Sequence, residues 1–400
     1  MNPFEQELQA RLEGIRGQGL YRELREVETA QGPRIDLNGR EVLNFSSNDY
    51  LGLADHSRLK EVAIRAVDKF GSGSGASRLI CGSLLPHHKL EAALADFKQT
   101  ESALTFSSGY ATALGAIGAL MGKEDILILD KLVHASIVDA ARLCGAKLRI
   151  FSHNDLNDLE GILKWADSRA GETGKKAHVL VVTESVFSMD GDVAPLKEIV
   201  ELKEKHGAWL MVDEAHATGL YGPNRRGVAE EMGVSERVEI QMGTLGKALG
   251  AAGGYICGSR GLIELLVNRA RSFIFSTAPV PAAAAAAQAG VELVKSAEGE
   301  ERRARLWRLI ARFSAEPTVR NCFARHEFRS AIIPIILGDE AVAMSASAAL
   351  LEAGILVPAV RYPTVARGEA RLRVTLTAAH TEKDVERLLS AIAEKMPASE

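Results

Sequence analysis

The chain of 400 residues has little cysteine, little aromatic character and no excess of either charge. Its four cysteines, Cys81, Cys144, Cys257 and Cys322, stand far apart with no paired spacing, so no disulfide and no zinc site is expected. Each is expected to be a small buried hydrophobe. With 48 Lys and Arg against 52 Asp and Glu, the formal net charge is -4 and no basic run occurs. That balance argues against a nucleic-acid partner or an anionic-membrane partner, since both draw on clustered cations. The longest uncharged stretch, "STAPVPAAAAAAQAG" (276–290), is broken by proline and too short for a spanning helix of about 20 apolar residues. The first residues, "MNPFEQELQARLEGI", are charged and amphipathic and lack the apolar core of a secretory signal, so a cytoplasmic enzyme is expected.

What is present is enough apolar material, 46% of residues, to bury a large core. Between residues 100 and 260, short apolar runs ("ALTFSS", "DILILD", "KLRIFSH", "HVLVVTES", "AWLMVDEAH", "EIQMGT", "GGYICGS") alternate with helical patterns such as "NDLEGILKWADSRA" and "PLKEIVELKEKHG". Alternation of this kind predicts an α/β fold with a large doubly wound, mostly parallel sheet, whose ligands collect at the carboxyl ends of the strands. The alanine-rich stretch and "VELVKSAEGEERRARLWRLIARF" read as helices leading to a smaller α+β unit with strands "AIIPIILGD", "GILVPAV" and "ARLRVTLTA". The expected division is an N-terminal helix and hairpin over 1–45, turning at Asn38-Gly39, a large domain over 46–289 and a small C-terminal domain over 290–400.

"GTLGKALGAAGG" (243–254) sets Lys247 among glycines and alanines. A phosphate-gripping loop would need glycine at Gln241 and a hydroxyl at Ala248, so that reading fails twice. "GSGSGA" (71–76) has dinucleotide-loop spacing, but it follows a helical pattern rather than a strand. One strand earlier, "WLMVDEAHATG" ends in Asp213, with His216 three residues on. A lysine, a carboxylate and an imidazole on neighbouring strand ends can meet over one small aromatic ligand, and pyridoxal phosphate (PLP) needs this set. It takes a lysine for its imine and an anion against its pyridine nitrogen. Its phosphate needs backbone N–H groups at a helix start, which "SSGYATALGAIGAL" (107–120) offers. The glycines around the lysine are expected to let a flat ring approach closely.

Read in order, "SSNDYLGL", "GSGSGASRLICGSLLPHHKLE", "SSGYATA", "HASIVDA", "TESVFSMDGDVAPL", "VDEAHATGLYG", "GTLGKALG" and "FSTAPVP" resemble the α-oxoamine synthases, fold-type I PLP enzymes, through nearly the whole chain. The resemblance implies that Lys247 is the imine lysine, Asp213 the partner of the pyridine nitrogen and His216 a donor to the phenolic oxygen. It implies that His134 stacks on the ring, that Ser188 touches the cofactor, and that Gly109, Tyr110 and Thr244 surround its phosphate. Asn48 would meet the substrate carboxylate, while Arg22 and Thr364 would line the substrate channel. Arg371 and Arg373 share a strand face, and spacing does not choose between them. The resemblance places the carboxylate-binding arginine at Arg373. It further implies an amino acid and an acyl thioester as substrates, and no metal. It implies a homodimer in which Ser276 and Thr277 of one chain reach the other chain's cofactor. The resemblance of "RYPTVARGEARLRVTLTAAHT" within that family implies L-alanine and a pimeloyl thioester rather than glycine or serine with other acyl groups, or a transaminase reaction.

Overall fold

The structure, a computed structural model, describes residues 2–170, 177–316 and 329–395. A hairpin of β1 (Arg34–Asp36) and β2 (Glu41–Asn44) turns where Asn38 and Gly39 both adopt positive φ, 53° and 76°, as a tight two-residue hairpin turn requires. Seven strands then follow: β3 (Ser102–Phe106), β4 (Ile126–Asp130), β5 (Lys147–Phe151), β6 (Val179–Glu184), β7 (Trp209–Asp213), β8 (Ile240–Thr244) and β9 (Gly254–Gly258). They form one sheet in the order β3-β9-β8-β7-β6-β4-β5. Only β9 runs against its neighbours. Each of the seven strands expected between 100 and 260 is present. The unbroken apolar run of β4 is explained by its position, since Ile126 to Leu129 are at most 1% exposed with helices packed on both faces.

Parallel strands align their carboxyl ends on one edge. Asp130, Glu184, Asp213 and Thr244 therefore end β4, β6, β7 and β8 at the same rim. From β4 the chain moves outward to β5 and then returns to the other side as β6, so the strand order reverses between β4 and β6, where such folds open a ligand crevice.

After helices Pro281–Lys295 and Ala297–Ala315 come β10 (Ile332–Gly338), β11 (Ile355–Leu356), β12 (Ala359–Val360) and β13 (Ala370–Thr375). "GILVPAV", expected as one strand, is two. Pro358 has no N–H to give a ladder and splits it, so β11 pairs with β2 while β12 joins β13. The N-terminal helix Pro3–Gly17 buries none of its residues on this chain. The cysteines also differ from expectation. Cys257 is buried and Cys144 half-buried, but Cys81 is exposed, because it lies in a surface turn rather than on a packed element; Cys322 lies outside the described residues. Among the described residues no cluster of metal-ligating side chains occurs, and no helix is long and apolar enough to cross a membrane.

Candidate active site

Asp213, His216 and Lys247 meet at the rim. The Asp213 side chain, 6% exposed, accepts from the Ala215 N–H (2.9 Å) through Oδ1, which turns the chain at the end of β7 and brings His216 back over the sheet edge. Its Oδ2 has no hydrogen-bond partner among the described residues. Burial raises the Asp213 pKa, while the Lys247 cation opposes that shift. Lys247 follows β8 in a turn closed by Gly250 N–H to Lys247 O (2.9 Å) and Ala251 N–H to Leu245 O (2.9 Å). Its amine makes no hydrogen bond or ion pair among the described residues. Burial lowers its pKa, Asp213 and Glu184 resist, and Arg373 adds to the lowering.

Two of the neighbouring glycines answer to the chain's own packing. A Cβ on Gly243 would lie 2.3 Å from the Tyr255 hydroxyl, and one on Gly250, at φ +66°, would lie 2.6 Å from Leu53.

His216 is held from behind. Its Nδ1 lies 2.5 Å from the Tyr50 hydroxyl. Burial pushes the Tyr50 pKa up to about 12 and drives that of His216 well below its ordinary value, so both groups are neutral and either can donate across this bond; the Tyr50 hydroxyl also lies 3.3 Å from Asn48 Oδ1. With the phenol donating, Nδ1 accepts and the ring proton sits on Nε2, the tautomer that a donor to a ligand requires.

His134 follows β4 and caps the helix Ala135–Cys144, its Nδ1 accepting from the Ser136 N–H (3.2 Å). The ring is exposed, yet partial burial still lowers its pKa, with Asp213 opposing and Lys247 assisting.

A helix start adjoins the end of β8. The helix Gly109–Leu120 is capped by the Ser108 side chain, which takes the Ala111 N–H and leaves the first-turn N–H groups of Gly109 and Tyr110 without partners from the cap. A Cβ on Gly109 would stand 2.6 Å from Thr244 Cγ2, so only glycine lets the helix start meet the end of β8. Thr244 Oγ1 is buried there with no hydrogen-bond partner. Tyr110, 45% exposed, donates its hydroxyl to Asp139 (2.6 Å).

From β13, Arg373 reaches the same crevice. Its Nε donates to the Ser188 carbonyl (2.7 Å), Nη1 to Thr375 (3.0 Å) and Nη2 to Asn48 Oδ1 (3.1 Å). Arg371, two residues earlier, is instead paired with Asp190 (2.5 Å), so its charge is already matched inside the protein.

Four expected site residues lie outside this cluster. Arg22 and Thr364 are exposed and share a rim, because Arg361 donates to the carbonyls of Gly19 and Tyr21 while its own carbonyl accepts from the Thr364 N–H (3.0 Å). Ser276 and Thr277 lie in a loop whose bonds run to the 74–77 segment and His87, with Thr277 facing solvent. Two residues in the cluster were missed from sequence, Tyr50 and Glu184. Glu184 pairs in register with Asp213, is 2% exposed and has a buried, unpartnered Oε1. Burial, with the neighbouring Asp213 charge, holds its pKa well above the carboxylate range. Two acids ending adjacent strands, "TES" and "VDE", were the available signal.

A free amine, a buried carboxylate with one open oxygen, an Nε2–H donor and an orphaned hydroxyl beside a helix start match the aldehyde, pyridine nitrogen, phenolic oxygen and phosphate of PLP. The model of the class I and II aminotransferase family matches residues 40–392. An 8-amino-7-oxononanoate synthase of Geobacter sulfurreducens is 48% identical over 382 residues, covering 96% of each chain. One from Anaeromyxobacter dehalogenans is 50% identical over 388 residues, 97% of this chain and 95% of its own. Among solved structures, a serine palmitoyltransferase from S. paucimobilis with bound PLP–myriocin superposes with a TM-score of 0.88 at 31% identity, over 99% of this chain and 98% of that one. The 8-amino-7-oxononanoate synthase of Francisella tularensis gives 0.75 at 29% identity, over 88% and 97%.

Proposed function

The chain belongs to the class I and II aminotransferase family, on its 8-amino-7-oxononanoate synthase branch, and from that premise we propose that it condenses L-alanine with a pimeloyl thioester to give 8-amino-7-oxononanoate, carbon dioxide and free thiol. The observation that carries the residue-level reading is the unpaired Lys247 amine facing buried Asp213, beside the orphaned Thr244 hydroxyl. PLP, when bound, supplies a protonated ring that draws electrons from the amino acid's α-carbon.

The rest is done by the chain. Lys247 holds the cofactor covalently. Its amine, when free, would take the α-proton and later return one, helped by burial that lowers its pKa. Asp213 keeps the ring nitrogen protonated. His216, with its tautomer set by Tyr50, donates through Nε2 to the ring oxygen, and His134 covers the ring face. Gly109, Tyr110 and Thr244 hold the phosphate, and Ser188 borders the ring. Arg373, its plane fixed by Ser188 and Asn48, forks the amino-acid carboxylate. Arg22 and Thr364 line the acyl entrance. In this reading residues 1–45 brace a cofactor domain (46–289) and a C-terminal domain (290–400) that meet at the site. The enzyme works in the cytoplasm without a membrane or nucleic-acid partner.

Substrate choice is tested by following thiol release from acyl-CoAs of different length with alanine, glycine and serine in turn. Alanine with pimeloyl-CoA is expected to give the highest kcat/KM. A clear preference for glycine with acetyl-CoA, or for serine with a long acyl chain, would move the enzyme to another α-oxoamine synthase activity.

The working unit in this reading is a homodimer. Leu79, Ile80, Phe275 and Val280 are 51%, 79%, 71% and 44% exposed around the Ser77–Thr277 bridge, an apolar surface suited to a second copy. Thr277 of one chain then serves the phosphate bound near the other chain's Lys247. Mixing Lys247→Ala with Thr277→Asp, each inactive alone, is expected to restore activity, because heterodimers put both defects in one site and leave the other intact. If subunits exchange and activity stays absent, the loop serves its own chain.

A further inference from the structure

Beside the crevice lies an ionic cluster that the reaction chemistry does not use. Asp130 ends β4, His153 follows β5, and Asp192 closes the turn that follows β6. His153 Nδ1 lies 2.9 Å from Asp130 Oδ1 and its Nε2 lies 2.7 Å from Asp192 Oδ2. With a carboxylate on each nitrogen, both must donate and the ring carries a full charge. Burial, the largest influence, works against that charge, but the two carboxylates together outweigh it and raise the pKa to about 10. Phe187 packs against the ring edge-on at 4.4 Å. Asn154 reinforces both arms, its N–H going to Asp130 Oδ2 (2.9 Å) and its Nδ2 to Asp192 Oδ2 (2.9 Å).

The turn held this way spans 187–192, closed by Phe187 N–H to Asp192 O (3.0 Å) and Gly191 N–H to Phe187 O (2.9 Å). From the same turn the Ser188 carbonyl receives Arg373 Nε and the Asp190 carboxylate receives Arg371. On its other side Gly191 lies so close to β10 that a Cβ would stand 2.3 Å from the Ile332 carbonyl. The turn thus joins the strand-end rim to the arginines of β13.

We propose that His153 is a positioning residue for amino-acid recognition: braced between Asp130 and Asp192, its imidazole fixes the 187–192 turn, and the Ser188 carbonyl on that turn aims the Arg373 guanidinium at the substrate carboxylate. This rests on the reading of Arg373 as the carboxylate-binding arginine. A planar fork recognises a carboxylate only when its orientation is fixed, and a displacement of about 1 Å is enough to cost about 10²-fold in a positioned site.

The test uses the full-length, cofactor-loaded enzyme. For His153→Gln, the L-alanine Kd is read from the change in visible absorbance without acyl thioester, and KM values for L-alanine and pimeloyl-CoA from steady-state kinetics. L-alanine Kd and KM are expected to rise about tenfold, with kcat, pimeloyl-CoA KM and cofactor retention within about twofold of the native enzyme. The double variant His153→Gln/Asp192→Asn, in which two amides can pair with each other, is expected to recover much of the loss. Asp192→Ala, which frees the turn but keeps the His153–Asp130 pair, carries the same test if His153→Gln does not fold. Arg373→Gln serves as the comparator. If it weakens alanine while His153→Gln and Asp192→Ala do not, the clamp is overturned. If Arg373→Gln itself leaves alanine binding unchanged, the carboxylate reading fails and the clamp fails with it. A uniform fall in kcat with loss of cofactor, and no selective effect on alanine, assigns His153 to stability alone and also overturns the proposal.

Discussion

Lys247→Ala is expected to abolish the visible absorbance of the purified enzyme and to lower turnover at least about 10⁴-fold, because in the proposed reading one side chain carries both the covalent tie and the general base, and a positioned base alone contributes about 10²–10⁴-fold. The fold should be unaffected. The amine makes no hydrogen bond or ion pair among the described residues, and the turn around it is closed by backbone bonds. Removing the amine also removes a cation from beside Asp213 and Glu184, both of which are buried with pKa values already raised. Loss of that cation should push both pKa values higher still. Circular dichroism matching the native enzyme, with absent turnover, is the expected pair of results. Turnover near the native level would remove Lys247 from the chemistry.

The second large effect is expected at Asp213→Asn. The amide keeps an oxygen for the Ala215 N–H, so the turn after β7 and the placement of His216 should survive. The negative charge is what disappears. A hydrogen bond to a charged group is worth about 1.5–3 kcal/mol, which converts to about 10- to 160-fold in rate when it is lost where the ring must hold its proton. The variant should still bind PLP and keep its visible absorbance, with kcat lowered about 10- to 160-fold and with slow exchange of the alanine α-proton in deuterium oxide. A kcat within about twofold of native would take that role from Asp213.

The parts of the site carried by single strands were readable from sequence, because an apolar run fixes a strand and the residue after it is fixed at the rim. Lys247, Asp213 and His134 are of this kind, and so is the helix start at Gly109. What could not be read depends on partners brought from far along the chain. Tyr50 stands behind His216 from 166 residues away, and Asn48 meets Arg373 across 325 residues. No periodicity encodes such pairs. The choice between Arg371 and Arg373 has the same character, since their shared strand face says nothing of Asp190, which neutralises one and not the other. Cys81 was misread because a rule about average burial carries no information about a surface turn. The single-strand reading of "GILVPAV" failed because Pro358 divides it between two sheets.

The most direct measurement reduces the native enzyme with borohydride, digests it and locates the phosphopyridoxyl group by mass spectrometry. The label is expected on Lys247, in near-stoichiometric yield, and is expected to disappear when saturating L-alanine is present before reduction. Label on another lysine, or an unlabelled peptide containing Lys247 from enzyme that retains its visible absorbance, would contradict that assignment.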